Sequence, residues 1–219
     1  MKFSIIIPAC NEEKYIEKTL KSLPKDQEII VVCNGCDDKT KKIAKKYSKI
    51  ISIKQKNVSK ARNLGAKKSK YQNLIFLDAD TLFKKNTLKE IGIALKKYDF
   101  GICKFEPDIK KTKYLVMKFF RDVFEITNHP FIVNMIYGSG VIYCKKSIFK
   151  KVNGFDERHR IGEDREFLMK AKKYGKYSIA KARVITSMRR FEKVSMFKRA
   201  LTSVLSFLFN RKSKYPIVR

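Results

Sequence analysis

Short apolar runs alternate with helix-patterned segments along the first third of the chain, and this alternation constrains the fold more than any other feature. The runs fall at residues 3–7, 28–32, 49–53 and 73–77, and their Ile and Val content with their length of about five residues reads as buried strands. Between them, NEEKYIEKTL places Tyr15, Ile16, Thr19, Leu20 and Leu23 on one helical face, KTKKIAKKY reads as a short basic helix, and residues 59–68 form a small-residue helix. Parallel neighbours need a crossover, so this order predicts a Rossmann-like, mostly parallel α/β sheet with flanking helices. Such sheets bind ligands outside the carboxyl ends of their strands. The chemistry is therefore expected in the loops after Ile7, Val32 and Leu77.

Beyond a helix at 87–97 the pattern changes. GICKF reads as a strand, and KYLVMKFFRDVFEI as a helix whose broad apolar face needs a greasy partner. GSGVIYC reads as another strand, KSIFKKV as a short helix stopped by Asn153-Gly154, and EDREFLMKAKKYG as a helix closed at Gly175. With 219 residues, 44% of them hydrophobic, the chain suits one core plus a tail. No repeat or low-complexity linker divides it.

Lysine and arginine number 51 against 21 acidic residues, a net charge of +30, so an anionic partner is expected. Nucleic acid, an acidic membrane surface and a phosphorylated substrate all satisfy that field. The N-terminal apolar run ends at Pro8, too short for a signal peptide or a span, which predicts a cytoplasmic chain. Five cysteines in such a chain predict reduced thiols.

The sharpest chemical signal is Asp78-Ala79-Asp80 directly after the run NLIFL. Two carboxylates one residue apart at the end of a parallel strand offer hard oxygen ligands to Mg²⁺ or Mn²⁺ bridging a diphosphate. A pair of turn or capping aspartates is an equal reading of the triplet alone.

Context tips that balance. SIIIPACNEE, ARNLGA at 61–66, FLDAD at 76–80, NGFDE at 153–157 and GED at 162–164 resemble, in this order, the motifs of family-2 glycosyltransferases with the A-type (GT-A) nucleotide-sugar fold. The resemblance spans about residues 3–192 and implies an inverting, metal-dependent transfer from a nucleoside diphosphate sugar. It implies that Pro8, Ala9, Asn11 and Glu12 touch the nucleotide, helix capping by Asn11 and Glu12 being compatible with that. Arg62 and Asn63 are implied near base and diphosphate, Asp78 at the ribose or metal, and Asp80 as the main metal ligand. Asp164 is implied as the base that deprotonates the acceptor, with Glu163 orienting it, and Arg189 and Arg190 at the diphosphate. A favourable charge at a helix start and a basic surface turn are the plain alternatives for those two pairs.

One loop departs from the family pattern. Where an acidic pair and Gly-Ser are usual, the chain reads Cys33-Asn34-Gly35-Cys36-Asp37-Asp38, so either Asn34 or the Asp37 and Asp38 pair is expected to meet the base. Its CxxC could serve redox or zinc chemistry, but no second CxxC or CxxH answers it, and small loop residues are the favoured reading. The domain is expected over 1–192, with a nucleotide-binding half at 1–98 and an acceptor-side half at 99–192. In the basic segment 193–219, Phe197, Leu201, Val204, Leu205 and Leu208 share a helical face. That tail either lies on an anionic membrane, which would make the chain peripheral and favour lipid-linked or glycan acceptors, or packs on protein. The rival functions are nucleotidyl transfer, which a glycine-poor PACNEE loop disfavours, and nucleic-acid binding, for which no recognition motif is present.

Overall fold

The computed structural model describes residues 1–108, 140–158, 162–187 and 189. The expected helix at 113–126, the tail from 193 and Arg190 lie outside them. In chain order the elements are β1 (Phe3–Ala9), α1 (Ile16–Lys21), β2 (Glu28–Asn34), α2 (Thr40–Ala44), β3 (Lys49–Ile53), α3 (Val58–Lys68) and β4 (Asn73–Leu77). There follow β5 (Thr81–Phe83), α4 (Thr87–Lys97), β6 (Phe100–Pro107), β7 (Val141–Lys145), α5 (Lys146–Lys151), α6 (Glu163–Ala171) and β8 (Tyr177–Thr186).

Eight strands form one sheet in the order β3-β2-β1-β4-β7-β6-β8-β5. The expected parallel architecture holds across β3, β2, β1 and β4. Beyond β4 the sheet is mixed, because β7 runs antiparallel to both β4 and β6 while β6 and β8 are parallel. Strand β1 is buried throughout, and its side chains alternate between two apolar layers. Ile5 and Ile7 pack with Ile16, Leu20 and Ile91 of α1 and α4, whereas Ile6 packs on the opposite face with Ala66, Phe155 and Phe167. A strand covered on both faces reads as a near-continuous apolar run, as FSIII does apart from Ser4, whose hydroxyl donates to Glu28.

The direction of the strand order turns at β1, with β2 and β3 on one side and β4 on the other. Loops leaving β1 and β4 therefore diverge and open a crevice at their carboxyl ends, where a ligand fits. Antiparallel β7 enters the same edge: Gly140 accepts a hydrogen bond from the Asp78 N–H at 3.0 Å. Strand β8 ends there too, and the Ser187 N–H donates to the Asp80 carbonyl at 3.2 Å.

Three local readings change. Asn11 and Glu12 do not cap a helix, since α1 begins only at Ile16 and has no side-chain cap. Helix α6 stops at Ala171, four residues before Gly175. Strands β5 and β8 were not expected: the first has three residues, and the second buries mainly the weak apolar residues Ala180 and Ala182 with Val184. The stop after α5 falls as read, with Asn153 and Gly154 at φ +60° and +69°.

Gly101 of β6 marks the tightest approach between strands. A Cβ there would fall on the Ser178 carbonyl of β8 and the Tyr143 hydroxyl of β7, and Tyr143 itself bonds Ser178. Backbone cannot yield as a side-chain tip can. Gly101→Ala is expected to cost about 1–3 kcal/mol or more through overpacking, read as a lower urea midpoint at unchanged slope.

Candidate donor and acceptor site

Two guanidinium groups organise the carboxylates of the crevice. Arg62, on the buried face of α3 and 4% exposed, reaches the Asp78 carboxylate at 3.2 Å, Glu163 at 3.2 Å and Asp164 in a shorter contact. Its planar head also lies 5.1 Å from the Phe155 ring centroid. Burial alone would lower the basicity of Arg62, but Asp164, Glu163 and Asp78 together raise it. Burial pushes the Asp164 carboxyl up to about 7, against the pull of Arg62 and with repulsion from Glu163 and Asp78 adding to it. A carboxyl so tuned can take a proton near neutral pH.

Arg189 makes the second cluster. Its terminal nitrogen bonds both Glu12 oxygens at 2.6 Å, Nε reaches Asp80 at 3.2 Å, and the guanidinium stacks 4.3 Å from the Tyr15 ring centroid. A cation thus already sits between Glu12 of the first loop and Asp80 of the Asp-Ala-Asp turn. Among the described residues no group of three or more His, Cys, Asp or Glu side chains is arranged to hold a metal. Asp78 and Asp80 nonetheless fit a divalent ion that takes one or two carboxylates and completes its shell with phosphate oxygens and water. The position Arg189 occupies is one that attracts positive charge.

The first two loops are laced together. Asn11, at φ +55°, accepts the Asp37 N–H on Oδ1 at 2.8 Å. The Glu12 N–H donates to Thr40 Oγ1 at 2.7 Å, the Glu13 N–H to Asp38 at 3.1 Å, and the Lys39 N–H to Glu13 at 3.0 Å. Pro8 and Ala9 pair with Val32 and Cys33 within the sheet. Asp37 is exposed and meets Lys56 at 3.1 Å.

Asn34 is different. It is 1% exposed and both amide atoms lack a partner, as do the Ser59 hydroxyl and Arg62 Nε. Gly65 of α3 faces Ile6 and Val32, which fixes the level of the helix against the sheet. Asn34 lies about 6.6 Å past Val32 along β2, while Arg62 and Ser59 lie about 4.5 and 9 Å before Gly65 along α3. The unsatisfied groups therefore lie at one level of one sheet face, at its carboxyl edge. Buried polar groups without partners are uncommon, and these suit a polar ligand or water. Sequence reasoning missed Ser59, although its spacing of three from Arg62 was a usable signal.

Asn63 is not part of this polar patch. Its Nδ2 donates to the Phe155 carbonyl at 2.8 Å and to Glu157 at 3.0 Å, and its Oδ1 accepts the Phe155 N–H at 2.9 Å. It fastens the NGFDE loop to α3, and so holds Phe155 under Arg62.

A strand-order switch edged by paired aspartates, with a buried polar patch on one side and a tuned carboxyl on the other, is the layout of an α/β ligand-binding crevice. Residues 4–153 match Glycosyl transferase family 2, and the chain belongs to that family. By sequence it is 32% identical over 111 residues to the Staphylococcus aureus poly(ribitol-phosphate) beta-N-acetylglucosaminyltransferase TarS, covering 45% of this chain and 19% of TarS. The crystal structure of TarS 1–349 with UDP-GlcNAc superposes with a TM-score of 0.68 at 24% identity, covering 86% of this chain and 59% of that one. A Pyrobaculum calidifontis mannosyltransferase with GDP-Man and Mn²⁺ superposes at 0.67 and 15% identity, covering 98% of this chain and 65% of the other. These likenesses establish the GT-A fold. The chain spans less than a fifth of the length of the TarS protein it matches by sequence.

Arg62 binds the two sides of the site together, so its loss has a pH signature. Without the guanidinium, Asp164 keeps its burial and its repulsion from Glu163 and Asp78 but loses the opposing pull of Arg62, so its folded pKa stands further above the unfolded one. Stability is then lost as pH rises and regained as pH falls. Arg62→Leu is expected to destabilise by about 2–3 kcal/mol at pH 8, below the full cost of breaking a buried pair because the carboxylates keep some water. Urea unfolding at pH 8 and pH 5 should show the deficit shrinking at the lower pH.

Proposed function

We propose that the protein transfers a sugar from a nucleoside diphosphate sugar to a hydroxyl or phosphate acceptor, with inversion at the anomeric carbon. The observation that carries this reading is the placement of Asp164 and the Asp78–Asp80 pair on one crevice, linked through a single buried arginine. In this reading residues 1–98 hold the donor and residues 99–192 present the acceptor. The base enters beside Asn34 and Ser59, whose unpartnered atoms it satisfies, with Pro8, Ala9, Asn11 and Asp37 shaping that pocket and Arg62 Nε at its rim. The diphosphate lies toward Asp80, and Arg189 turns from Asp80 to its phosphate oxygens, a task for which a planar fork is suited.

Asp80, with Asp78 beside it, would hold Mg²⁺ or Mn²⁺, which when bound neutralises charge on the departing diphosphate. Divalent ions accompany the ligands in two structural neighbours, the Mn²⁺ enzyme above and a Mycobacterium tuberculosis glucosyl-3-phosphoglycerate synthase with Mg²⁺ and UDP. Asp164 removes the acceptor proton as the new C–O bond forms on the face opposite the breaking C–O bond to phosphate. Glu163 keeps Arg62 in place and orients the acceptor. Lipid-linked carriers or membrane-associated glycans are the favoured acceptors, on the basic amphipathic sequence after 193. Among the described residues no helix is long and apolar enough to cross a membrane.

Asp80→Asn should weaken metal-dependent donor binding in calorimetry, because an amide replaces a charged hard ligand. Asp164→Asn should leave donor binding intact while transfer falls by about 10² or more, the scale of a lost general base. Since Asp164 must be ionised, kcat/KM of the wild type should fall as pH drops through about 7, and the residual rate of Asp164→Asn should lack that limb. Loss of donor binding in Asp164→Asn, at normal transfer per bound donor, would overturn this assignment.

A further inference from the structure

Three of the five cysteines meet where the first two loops are laced, and the catalytic scheme uses none of them. Cys33 closes β2 with its side chain buried in the layer shared with Ala9, and Cys36 packs against that same layer from across the bend at Gly35, φ +73°. The two thiols are near enough that each shifts the ionisation of the other. Cys36 Sγ also donates to the Ala9 carbonyl at 3.2 Å, and Cys10 Sγ answers by donating to the Gly35 carbonyl at 3.5 Å. Cys36 is partly exposed, whereas Cys103 and Cys144 are buried and pushed up by that burial.

Closeness to Cys33, opposed by burial and helped by the Asn11 N–H, brings the Cys36 thiol down to about 7. That closeness and burial push Cys33 up. Asp37 and Asp38 face Cys36 and oppose its ionisation, and Lys41 favours ionisation at Cys33. One accessible thiol that ionises beside a protonated neighbour is the arrangement of an attacking and a resolving cysteine. Small size alone would satisfy the loop without that pairing.

We infer that Cys33 and Cys36 form a reversible oxidation site, whose disulfide unlaces the first loop from the second. The oxidant is a peroxide. The Cys36 thiolate attacks a peroxide oxygen, so that an S–O bond forms, the O–O bond breaks and hydroxide leaves, taking up the proton Cys36 had released. The Cys33 sulfur then attacks Cys36 Sγ: the S–S bond forms, the S–O bond breaks, and the departing hydroxide takes the Cys33 proton as water. Two thiols lose two electrons in all, and hydrogen peroxide becomes two waters. A dithiol reductant reverses the reaction. Only two residues separate the cysteines, and the chain bends between them at Gly35. Once oxidised, Cys36 no longer donates to Ala9, and the loop at residues 10–13 loses one of its ties.

The effect on ligand binding rests on the nucleotide reading above, while the disulfide and the loosened loop do not. The full chain, reduced or treated with hydrogen peroxide, is alkylated and weighed, its amide exchange is followed, and uridine and guanosine diphosphate are titrated into it. Oxidation should remove the mass of two hydrogens, protect Cys33 and Cys36 from alkylation, and speed exchange at residues 9–13. It should weaken binding of the preferred nucleotide by about fivefold or more, the scale of one lost hydrogen bond, and dithiothreitol should restore it. Cys33→Ser with Cys36→Ser should keep the reduced affinity and ignore peroxide. Cys33 and Cys36 still open to alkylation after peroxide, or a disulfide that changes neither exchange nor affinity, would overturn the inference. If the reduced chain binds neither nucleotide, the donor assignment fails, and exchange at residues 9–13 alone decides the oxidation site.

Discussion

A guanidinium buried among three carboxylates carries more charge than its surroundings can solvate, so the Arg62 cluster survives only if every member stays in place. That requirement reaches into three elements at once. Asp78 follows β4, Arg62 belongs to α3, and Glu163 and Asp164 open α6, separated from Arg62 by about a hundred residues of chain. Phe155 supports the guanidinium from below and is itself fixed by both amide atoms of Asn63. Phe155 also joins Phe76, Phe149 and Phe167 in an aromatic cluster, with the Phe155 and Phe167 rings stacked at 4.5 Å. Packing on one face of the sheet and charge placement at its edge are thus one problem with one solution.

The other half of the crevice is held by backbone donors and small side chains. Six hydrogen bonds involving Asn11, Glu12, Glu13 and the two thiols Cys10 and Cys36 join the loops after β1 and β2. A neutral tie of this kind is worth about 0.5–1.5 kcal/mol and one to a carboxylate about 1.5–3 kcal/mol. Their sum fixes where Glu12 stands, and Glu12 in turn anchors Arg189. The charged core is rigid because it is costly to open, whereas this lacing is adjustable because each tie alone is modest.

Much of this architecture could be read directly from residues. The runs beginning at 3 and 73 declare their strands because burial on both faces leaves little room for polar residues, and those at 28 and 49 declare theirs by their Ile and Val content. The aspartates after β4 declare themselves by position. What could not be read has physical causes. Strand β8 hides because its buried residues include two alanines and because Lys181 and Arg183 interrupt it. Arg62 was expected near the diphosphate, but no local pattern reveals that residues 163 and 164 close on it. Asn34 could be singled out as a departure from the family, yet its lack of any partner is a property of packing, invisible in a string of letters.

Strand β8 also brings the last cation of the crevice from the far end of the chain, since Arg189 meets Glu12 across 177 residues. Closing so long a loop is slow relative to pairing β1 with β2 and β4, whose partners are near in sequence. The sheet around β1 can therefore order itself while β8 and Arg189 are still unmade, with Glu12 and Asp80 facing water as a bare acidic notch. Only the arrival of the final strand neutralises it. The reverse path follows the same logic: the contact formed last, at the margin of the sheet, is the one that lets go first under mild denaturant, well before the β1 core.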